Sequence, residues 1–288
     1  MFSFFSGKSF PGGIYPPEEK KNTEHSVLEP LPYPKVAIMP LVQHTGKPAK
    51  LVVEVGASVK TGDLLAEADG FISAGVHSPF TGVIFKIEPH ETPTGLKVLS
   101  VFIEVAQKEE LSEKIKPYRP LSELRPPEIV AAVKEAGIVG LGGAAFPTHV
   151  KLAPPPDKKI KFLLVNGAEC EPYLNVDYRL MIENPSAVIG GALAARQALL
   201  GPEVIIGIED NKPEAIRKIR AQIKNLSGFR IVVLKTKYPQ GGEKQLIKSI
   251  LGREVPSGGL PLDIEVVVFN VATLAAIDRT LKTGWPLI

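Results

Sequence analysis

Residues 162–172 read FLLVNGAECEP. The first four residues are apolar without alternation, which is typical of a strand covered on both faces of a sheet. The polar residues Asn166, Glu169 and Glu171 follow at once. In open α/β sheets, ligands bind at the carboxyl ends of the strands. This stretch therefore predicts a buried strand with a candidate binding site at its end, and a solvated turn is the alternative.

The same logic extends outward from this stretch. Three further runs are rich in valine and isoleucine with little polar alternation: EVIIGIE (203–209), RIVVLK (230–235) and IEVVVFN (264–270). Helical patterns lie between the runs, at residues 185–200, 212–225 and 243–251. Strands that alternate with helices predict an α/β sandwich built on a largely parallel sheet.

Two more loops are expected at the same edge of the sheet. YPQGGEKQL (238–246) places glycines directly before a predicted helix, where free backbone N–H groups favour an anion. FNVAT (269–273) ends the last strand, and Asn270 is predicted to cap the helix that follows. Several loops from one edge favour a convergent site more than any loop alone.

The segment GIVGLGGAAFPTHVK (137–151) has a different context. Gly140, Gly142 and Ala145 formally satisfy the dinucleotide pattern G-x-G-x-x-A, but that fingerprint must follow a strand and open a long helix. Here a helical pattern precedes it, and Pro147 cuts short whatever follows. An ordinary dinucleotide fingerprint is therefore rejected.

What this segment offers is backbone that a ligand can approach closely. Gly140, Gly142 and Gly143 carry no side chain, so their N–H groups can lie against a flat or anionic molecule. Phe146 adds an aromatic face and Lys151 a positive charge. A helix cap followed by a plain loop is an equally weighted alternative.

The N-terminal third is of another type. Residues 1–34 contain six prolines and predict an extended arm over the body or a mobile tail, and residues 35 to about 105 show short strands separated by glycine turns. The pattern resembles the biotinyl/lipoyl barrel-sandwich fold. No lysine lies between Lys60 and Lys86, and the hairpin tip reads ADGF (68–71). A carrier module needs a lysine there, so this unit is predicted to be a scaffold. His77 is predicted to be a structural histidine whose hydrogen-bonding needs are satisfied.

Composition excludes several classes of function. A single cysteine, Cys170, cannot form an internal disulfide or supply the ligands of an iron–sulfur cluster. A net charge of +3 gives no argument for nucleic acid, and no run of about 20 apolar residues predicts a membrane span. Two flanking glutamates are expected to raise the pKa of the Cys170 thiol, which argues against a nucleophilic role.

Four motifs, in order behind the β unit, carry a resemblance: GLGGAAFPTHVK, VNGAECEP, YPQGGEKQL and NVAT. Together they resemble the RnfC family, the NADH-facing subunit of the Rnf electron-transport complex. That family is similar to the FMN-binding flavoprotein subunit of respiratory complex I. The resemblance implies a Rossmann-like parallel-sheet sandwich (complex I flavoprotein-like) preceded by a small all-β barrel-sandwich domain. The implied organisation is an arm at 1–34, the barrel at 35–106, a linker at 107–126 and an FMN/NADH-binding domain at 127–288.

The family resemblance implies a site that holds FMN, with NADH stacked on the flavin ring. It also implies that the protein supplies no catalytic acid or base, because the hydride chemistry belongs to the cofactor. Lys151 and Asn166 match flavin contacts, Glu169 an acidic flavin-side position and Glu171 one associated with NADH. Asn270 and Thr273 match positions at the phosphate end. The residues implied to bind the cofactors are Gly140, Gly142, Gly143, Phe146, Lys151, Asn166, Glu169, Glu171, Tyr238, Gly241, Gly242, Glu243, Asn270 and Thr273.

The resemblance also implies partners: other subunits of a membrane redox complex and a ferredoxin-type electron partner, with the chain peripheral on the cytoplasmic side of the membrane. The family continues into a β-grasp segment and a ferredoxin-like region with two [4Fe-4S] cluster motifs, and the chain is expected to be truncated before them. Two departures affect the NADH contacts. Ala168 stands where complex I relatives carry an aspartate, and Tyr173 where they carry a glycine.

Two other functions stay open at this stage. One is a cobalamin-reductase-like relative that also uses flavin and NADH. The other is a non-catalytic scaffold of a redox complex, comparable to the quinone-linked subunit of the sodium-pumping NADH dehydrogenase. The joint presence of Lys151, Asn166, Glu169 and Glu243 argues against the scaffold.

Overall fold

The computed structural model describes residues 7–93 and 95–288, which form two compact units. The barrel unit consists of Pro30–Ala153 with Arg279–Ile288. The sheet unit consists of residues 7–29 with Pro154–Asp278. The domain boundaries expected from the sequence remain a prediction, and residues 127–153 are grouped here with the barrel.

The described part of the barrel unit contains seven strands, and the prediction of short strands separated by glycine turns is confirmed. They are β1 (Val36–Pro40), β2 (Lys50–Leu51), β3 (Ser58–Val59), β4 (Leu64–Glu67), β5 (Val76–His77), β6 (Gly82–Glu91) and β7 (Lys97–Val105). One antiparallel sheet has the order β1-β7-β6-β3 and the other the order β2-β4-β5. Their apolar side chains meet in one core, with Leu65, Ile84 and Ile103 completely buried.

Two helices follow in this unit, α1 (Pro126–Glu135) and α2 (Thr148–Leu152), with a 3₁₀ turn at Leu121–Glu123 before them. Prolines occupy the first helical positions of α1, where no hydrogen-bond donor is needed. Gly137 follows the end of α1 with φ +65°, a conformation that favours glycine. The helix α2 is only five residues long, as the surrounding prolines predict.

The prediction for His77 is wrong in one respect. Its ring is buried, and within the described chain Nδ1 has no hydrogen-bond partner. Burial lowers the pKa of His77 to about 4, with the Lys114 ammonium lowering it further and the Asp63 carboxylate opposing. The ring is therefore neutral at pH 7, which is the form that burial without a partner favours.

The sheet unit has four parallel strands, β8 (Phe162–Gly167), β9 (Glu203–Glu209), β10 (Phe229–Leu234) and β11 (Val266–Asn270). Their order is β10-β9-β8-β11. The valine- and isoleucine-rich runs become β8, β9 and β11 with mostly buried residues, whereas β10 lies at the edge and exposes Arg230. The predicted parallel sheet is confirmed.

Helices cover this sheet: α3 (Val176–Glu183), α4 (Pro185–Ala198), α5 (Pro213–Ile223), α6 (Glu243–Leu251) and α7 (Val271–Thr283), with a 3₁₀ turn at Pro261–Ile264. The three predicted helices correspond to α4, α5 and α6. Helix α4 approaches α7 closely, since a Cβ on Gly191 would lie 1.8 Å from the carbonyl oxygen of Leu274. In the part of the chain that is described, no helix is both long and apolar enough to cross a membrane.

Candidate functional site

The centre of the candidate site is the point where the strand order reverses. The chain moves from β8 outward to β9 and β10 and then returns to place β11 on the other side of β8. Asn166 on β8 and Asn270 on β11 are register partners at this point. Ligands of open α/β sheets gather at such a switch point, and here an amide side chain stands on each side of it.

Both asparagines organise the loops that follow. Asn166 donates from Nδ2 to the carbonyl of Gly241 at 2.8 Å and accepts at Oδ1 from the N–H of Ala168 at 3.2 Å. Asn270 accepts at Oδ1 from the N–H of Ala272 at 2.7 Å, which confirms its prediction as the cap of α7. Its Nδ2 donates to Oδ2 of Asp177 at 2.6 Å. The loops after β8, β10 and β11 are thereby linked.

The Glu169 carboxylate lies at the start of α3. Its Oε1 accepts from the N–H of Asp177 at 2.6 Å and its Oε2 from the N–H of Tyr178 at 3.2 Å. Burial raises the pKa of Glu169 to about 7, and the Asp177 carboxylate adds to the rise, whereas the Asp177 N–H and the ammonium groups of Lys20 and Lys212 oppose it. Glu171, in contrast, is exposed.

A group of buried charges below this loop escaped the sequence analysis. Lys20, Glu209 and Lys212 are 6%, 1% and 3% exposed. Lys212 donates from Nζ to Oε2 of Glu209 and to the carbonyl of Glu169, both at 3.4 Å. Burial raises the pKa of Glu209 to about 7, and Lys212 is the largest opposing influence. Charged residues after a strand look like surface residues in a sequence, so no pattern signals this cluster.

The loop after β10 joins the site through Cys170. The N–H of Gly241 donates to Sγ of Cys170 at 3.2 Å. Burial raises the pKa of the thiol to about 11, with Glu171 and Glu209 adding to the rise. The predicted rise in the pKa of the Cys170 thiol is confirmed. Burial is its main cause, and the second contributing carboxylate is Glu209 instead of Glu169. Gly242 is the N-cap of α6, and Glu243, its first residue, is exposed.

The other predicted residues of the sheet unit lie on the same edge. Tyr238 is 38% exposed, and its backbone exchanges two hydrogen bonds of 2.8 Å with Ile14 of the arm. Thr273 lies in the first turn of α7 and is 1% exposed. Nine of the fourteen predicted residues thus follow the carboxyl ends of strands in the sheet unit: Asn166, Glu169, Glu171, Tyr238, Gly241, Gly242, Glu243, Asn270 and Thr273.

The remaining five predicted residues belong to the barrel unit, on the glycine loop (residues 140–146) and just after it. The loop is closed by a bridge between Val139 and Pro147, and the Gly140 N–H donates to the carbonyl of Phe146 at 2.8 Å. Gly142 has φ +83°, so this position favours glycine for the backbone alone. Gly143 is exposed, and a Cβ there would meet no atom of the chain within 4 Å.

Both side chains singled out near the loop are half-buried. Phe146 ends the loop itself, and Lys151 lies on the short helix α2. The glycine loop therefore combines an open backbone at Gly143 with an aromatic ring and a cation close to it along the chain.

Two segments of the barrel, the loop between β1 and β2 and the stretch before β5, contact the glycine loop and the residues before it. The N–H of Thr45 donates to the carbonyl of Ala145 at 3.2 Å, and the Thr45 hydroxyl donates to the carbonyl of Ala144. A Cβ on Gly137 would lie 2.4 Å from the carbonyl oxygen of Gly75, so the backbones touch there. The barrel backbone thus contacts the glycine loop and the segment before it directly. The scaffold role of the barrel stays a prediction.

Comparisons with known proteins give two family matches and a fold likeness. The chain matches the family described as the Nuo51 FMN-binding domain over residues 133–279. It matches the family described as the RnfC barrel sandwich hybrid domain over residues 8–108. A crystal structure of an NAD+-reducing [NiFe]-hydrogenase shares the fold with a TM-score of 0.50 at 24% identity, over 60% of this chain and 36% of that one.

Curated relatives are similar along almost the whole chain. One, from Clostridium ljungdahlii, belongs to a proton-translocating ferredoxin:NAD(+) oxidoreductase complex and is 45% identical over 98% of this chain and 61% of the relative. Its Na(+)-translocating counterpart from Acetobacterium woodii is 44% identical over 97% and 63%. A member of an ion-translocating oxidoreductase complex of Pseudomonas aeruginosa is 43% identical over 97% and 36%. The chain spans less than two thirds of each of these relatives.

Proposed function

Because the chain belongs to the RnfC family, we propose that it binds FMN, oxidises NADH and serves as an electron-transport subunit of an ion-translocating redox complex. The observation that carries this proposal is the pair of register-matched asparagines, Asn166 and Asn270, at the reversal of strand order. The order β10-β9-β8-β11 corresponds to the first four strands of the doubly wound nucleotide-binding fold. We therefore propose that this sheet is used in the Rossmann-like manner.

The residues present fit a flavin. Gly143 has open space where a side chain would stand, so a flat ring can lie against the backbone of the glycine loop. Asn270 caps α7, and the start of a 13-residue helix favours an anionic phosphate. We propose that Gly140, Gly142, Gly143, Lys151 and the strand-end residues bind FMN, and that Glu171 and Phe146 face NADH.

When bound, FMN supplies the hydride acceptor and hence the redox chemistry. The chain itself orients and surrounds the ring. Asn166 holds the Gly241 loop in place, and Glu169 fixes the start of α3. The names of the relatives support two kinds of partner, a ferredoxin-type electron carrier and further subunits of an ion-translocating complex. We also propose that this chain is peripheral on the cytoplasmic side of the membrane. The [4Fe-4S] clusters are proposed to lie outside these 288 residues.

Titration with FMN, followed by quenching of flavin fluorescence, tests the proposal. Gly143→Val adds a side chain whose Cβ meets no atom within 4 Å beyond its two chain neighbours. We expect an unchanged unfolding midpoint but FMN affinity weakened about tenfold or more, since the new atoms compete with the ring for space. Ala144→Val, one residue along the same loop, is the matched control and should bind FMN as the wild type does.

Anaerobic addition of NADH then tests the reaction. Loss of flavin absorbance in the wild-type protein supports NADH oxidation. FMN binding without reduction by NADH overturns the donor assignment and directs attention to Ala168 and Tyr173. Failure of the folded chain to bind FMN overturns the flavin proposal and favours the scaffold.

A further inference from the structure

The N-terminal arm is integrated into the sheet unit. Lys8 pairs with β10, where its N–H donates to Val233 at 3.0 Å and its carbonyl accepts from Lys235 at 2.9 Å. Further along, the carbonyl of Glu18 accepts from the N–H of Tyr173 at 2.9 Å, and its carboxylate accepts from Asn211 at 2.9 Å. The arm thus crosses from β10 past the end of β9 to the loop that follows β8.

Lys20 is the innermost contact of the arm. Its ammonium donates to the carbonyl of Glu169 at 2.7 Å and to the carbonyl of Leu174 at 2.6 Å. These two carbonyls belong to the first and last residues of the segment 169–174. One buried ammonium group therefore holds the two ends of this loop together. The next residue, Asn175, in turn donates to the carbonyl of Lys20 at 3.0 Å and to the Thr23 hydroxyl at 2.7 Å.

Several charges face this ammonium. Burial lowers the pKa of Lys20, and the Lys212 ammonium adds to this, whereas the carboxylates of Glu169, Glu209 and Glu18 raise it. Hydrogen bonds to a charged group are worth more than neutral ones, and removing one partner leaves buried carbonyls unsatisfied. Loss of the Lys20 ammonium therefore removes a charged hydrogen bond from each end of the loop, and at the Glu169 carbonyl the longer bond from Lys212, at 3.4 Å, remains.

We propose that Lys20 is a positioning residue, which acts through the segment 169–174 to hold Glu169 and Glu171 in the geometry that binds flavin and dinucleotide. The inference rests on the proposed function for its consequence, but its structural part stands on the two hydrogen bonds. Glu169 has φ +47° and Tyr173 φ +67°, so the loop contains two residues in a conformation that side chains disfavour. External contacts from the arm maintain this conformation.

Cys170 provides a reporter that needs no flavin. It is the single cysteine of the chain, lies inside the loop, and is half-buried with a raised pKa. Opening of the loop exposes the thiol and brings its pKa back toward the ordinary range. We expect Lys20→Met to speed modification by a thiol reagent at pH 8 about tenfold or more. Lys21→Met, its exposed neighbour on the arm, is the matched control and should react at the wild-type rate.

The second measurement is FMN titration of the same variants. We expect Lys20→Met to weaken FMN binding about tenfold and Lys21→Met to leave it unchanged. If Lys20→Met unfolds below the assay temperature, Thr23→Val is measured instead. It removes only the hydroxyl that Asn175 bonds, and about a threefold faster thiol reaction is expected.

The outcomes separate the two proposals. A folded Lys20→Met protein whose thiol reacts at the wild-type rate overturns the inference, whatever happens with FMN. A faster thiol reaction with unchanged FMN affinity also overturns it, because the loop would open without consequence for the ligand. A wild-type chain that fails to bind FMN refutes the proposed function instead, and the thiol rates still decide whether Lys20 holds the loop.

Discussion

Glu209→Gln removes one titrating group from the interior of the sheet unit. Glu209 ends β9, is 1% exposed, and accepts from the N–H of Lys237 at 3.3 Å. Its folded-state pKa of about 7 lies above the ordinary 4.5, which corresponds to roughly 3 kcal/mol for one proton. The folded protein thus holds this proton more tightly than the unfolded chain does.

Protonation of Glu209 therefore stabilises the folded protein at low pH. The contribution to stability is fully present below pH 4.5 and is lost as the pH rises through about 7. The free energy of unfolding of the wild type should therefore fall between pH 5 and pH 8. Glutamine does not titrate, so Glu209→Gln should flatten this fall by up to about 3 kcal/mol. Glu169 and Asp177, whose pKa values are also raised, contribute the same slope to both proteins.

Native-state hydrogen exchange is the suitable assay, because the two units need not unfold together. The slowest amides of β9 report the opening of the sheet unit, and intrinsic exchange rates are corrected for pH. Equal pH slopes for the wild type and Glu209→Gln would show that the carboxyl titrates in the same range folded and unfolded, and would refute the reasoning.

Other perturbations follow from close contacts and buried groups. Gly191→Ala should destabilise the sheet unit by about 1–3 kcal/mol, measured by urea unfolding, because the new Cβ meets the Leu274 backbone at 1.8 Å. Gly190→Ala should cost less, since its obstacle at 1.9 Å is the Asp278 carboxylate, which can rotate; equal losses would contradict this. The barrel unit should lose roughly 3 kcal/mol as the pH falls from 6.5 through 4, because His77 must then charge. Fluorescence of the single tryptophan measures this, and a loss that persists in His77→Gln would assign it to another group.

Much of the fold could be predicted because its cause is local. The four apolar runs became β8, β9, β10 and β11, and helix α4 begins at a proline preceded by the capping residue Asn184. Helix α3 was missed. Its N-cap Asn175 turns its side chain to the arm, and the cap comes instead from Glu169, seven residues before the helix starts. Such a long-range cap leaves no pattern in the sequence.

The residues of the candidate site could likewise be predicted only in part from the sequence. Glycines, asparagines and glutamates that follow strands were identified because strand ends carry ligands in parallel sheets. Lys20 is one of two adjacent lysines in a proline-containing arm, and its contacts depend on how the arm crosses the sheet edge. Glu209 and Lys212 look like ordinary surface charges until burial is known. Tertiary packing, which a linear pattern does not encode, determines their burial and their partners.

The contacts of Thr45 and Gly75 with the segment 137–146 determine where the protein can be divided. A cut after residue 106, which the sequence suggests, would leave residues 140–146 without Thr45 and without the close approach of Gly75 to Gly137. A cut after Ala153 would keep Thr45, Gly75 and the glycine loop in one fragment. Fragment studies of flavin binding that begin at residue 107 would therefore test an unsupported loop rather than the loop of the intact protein.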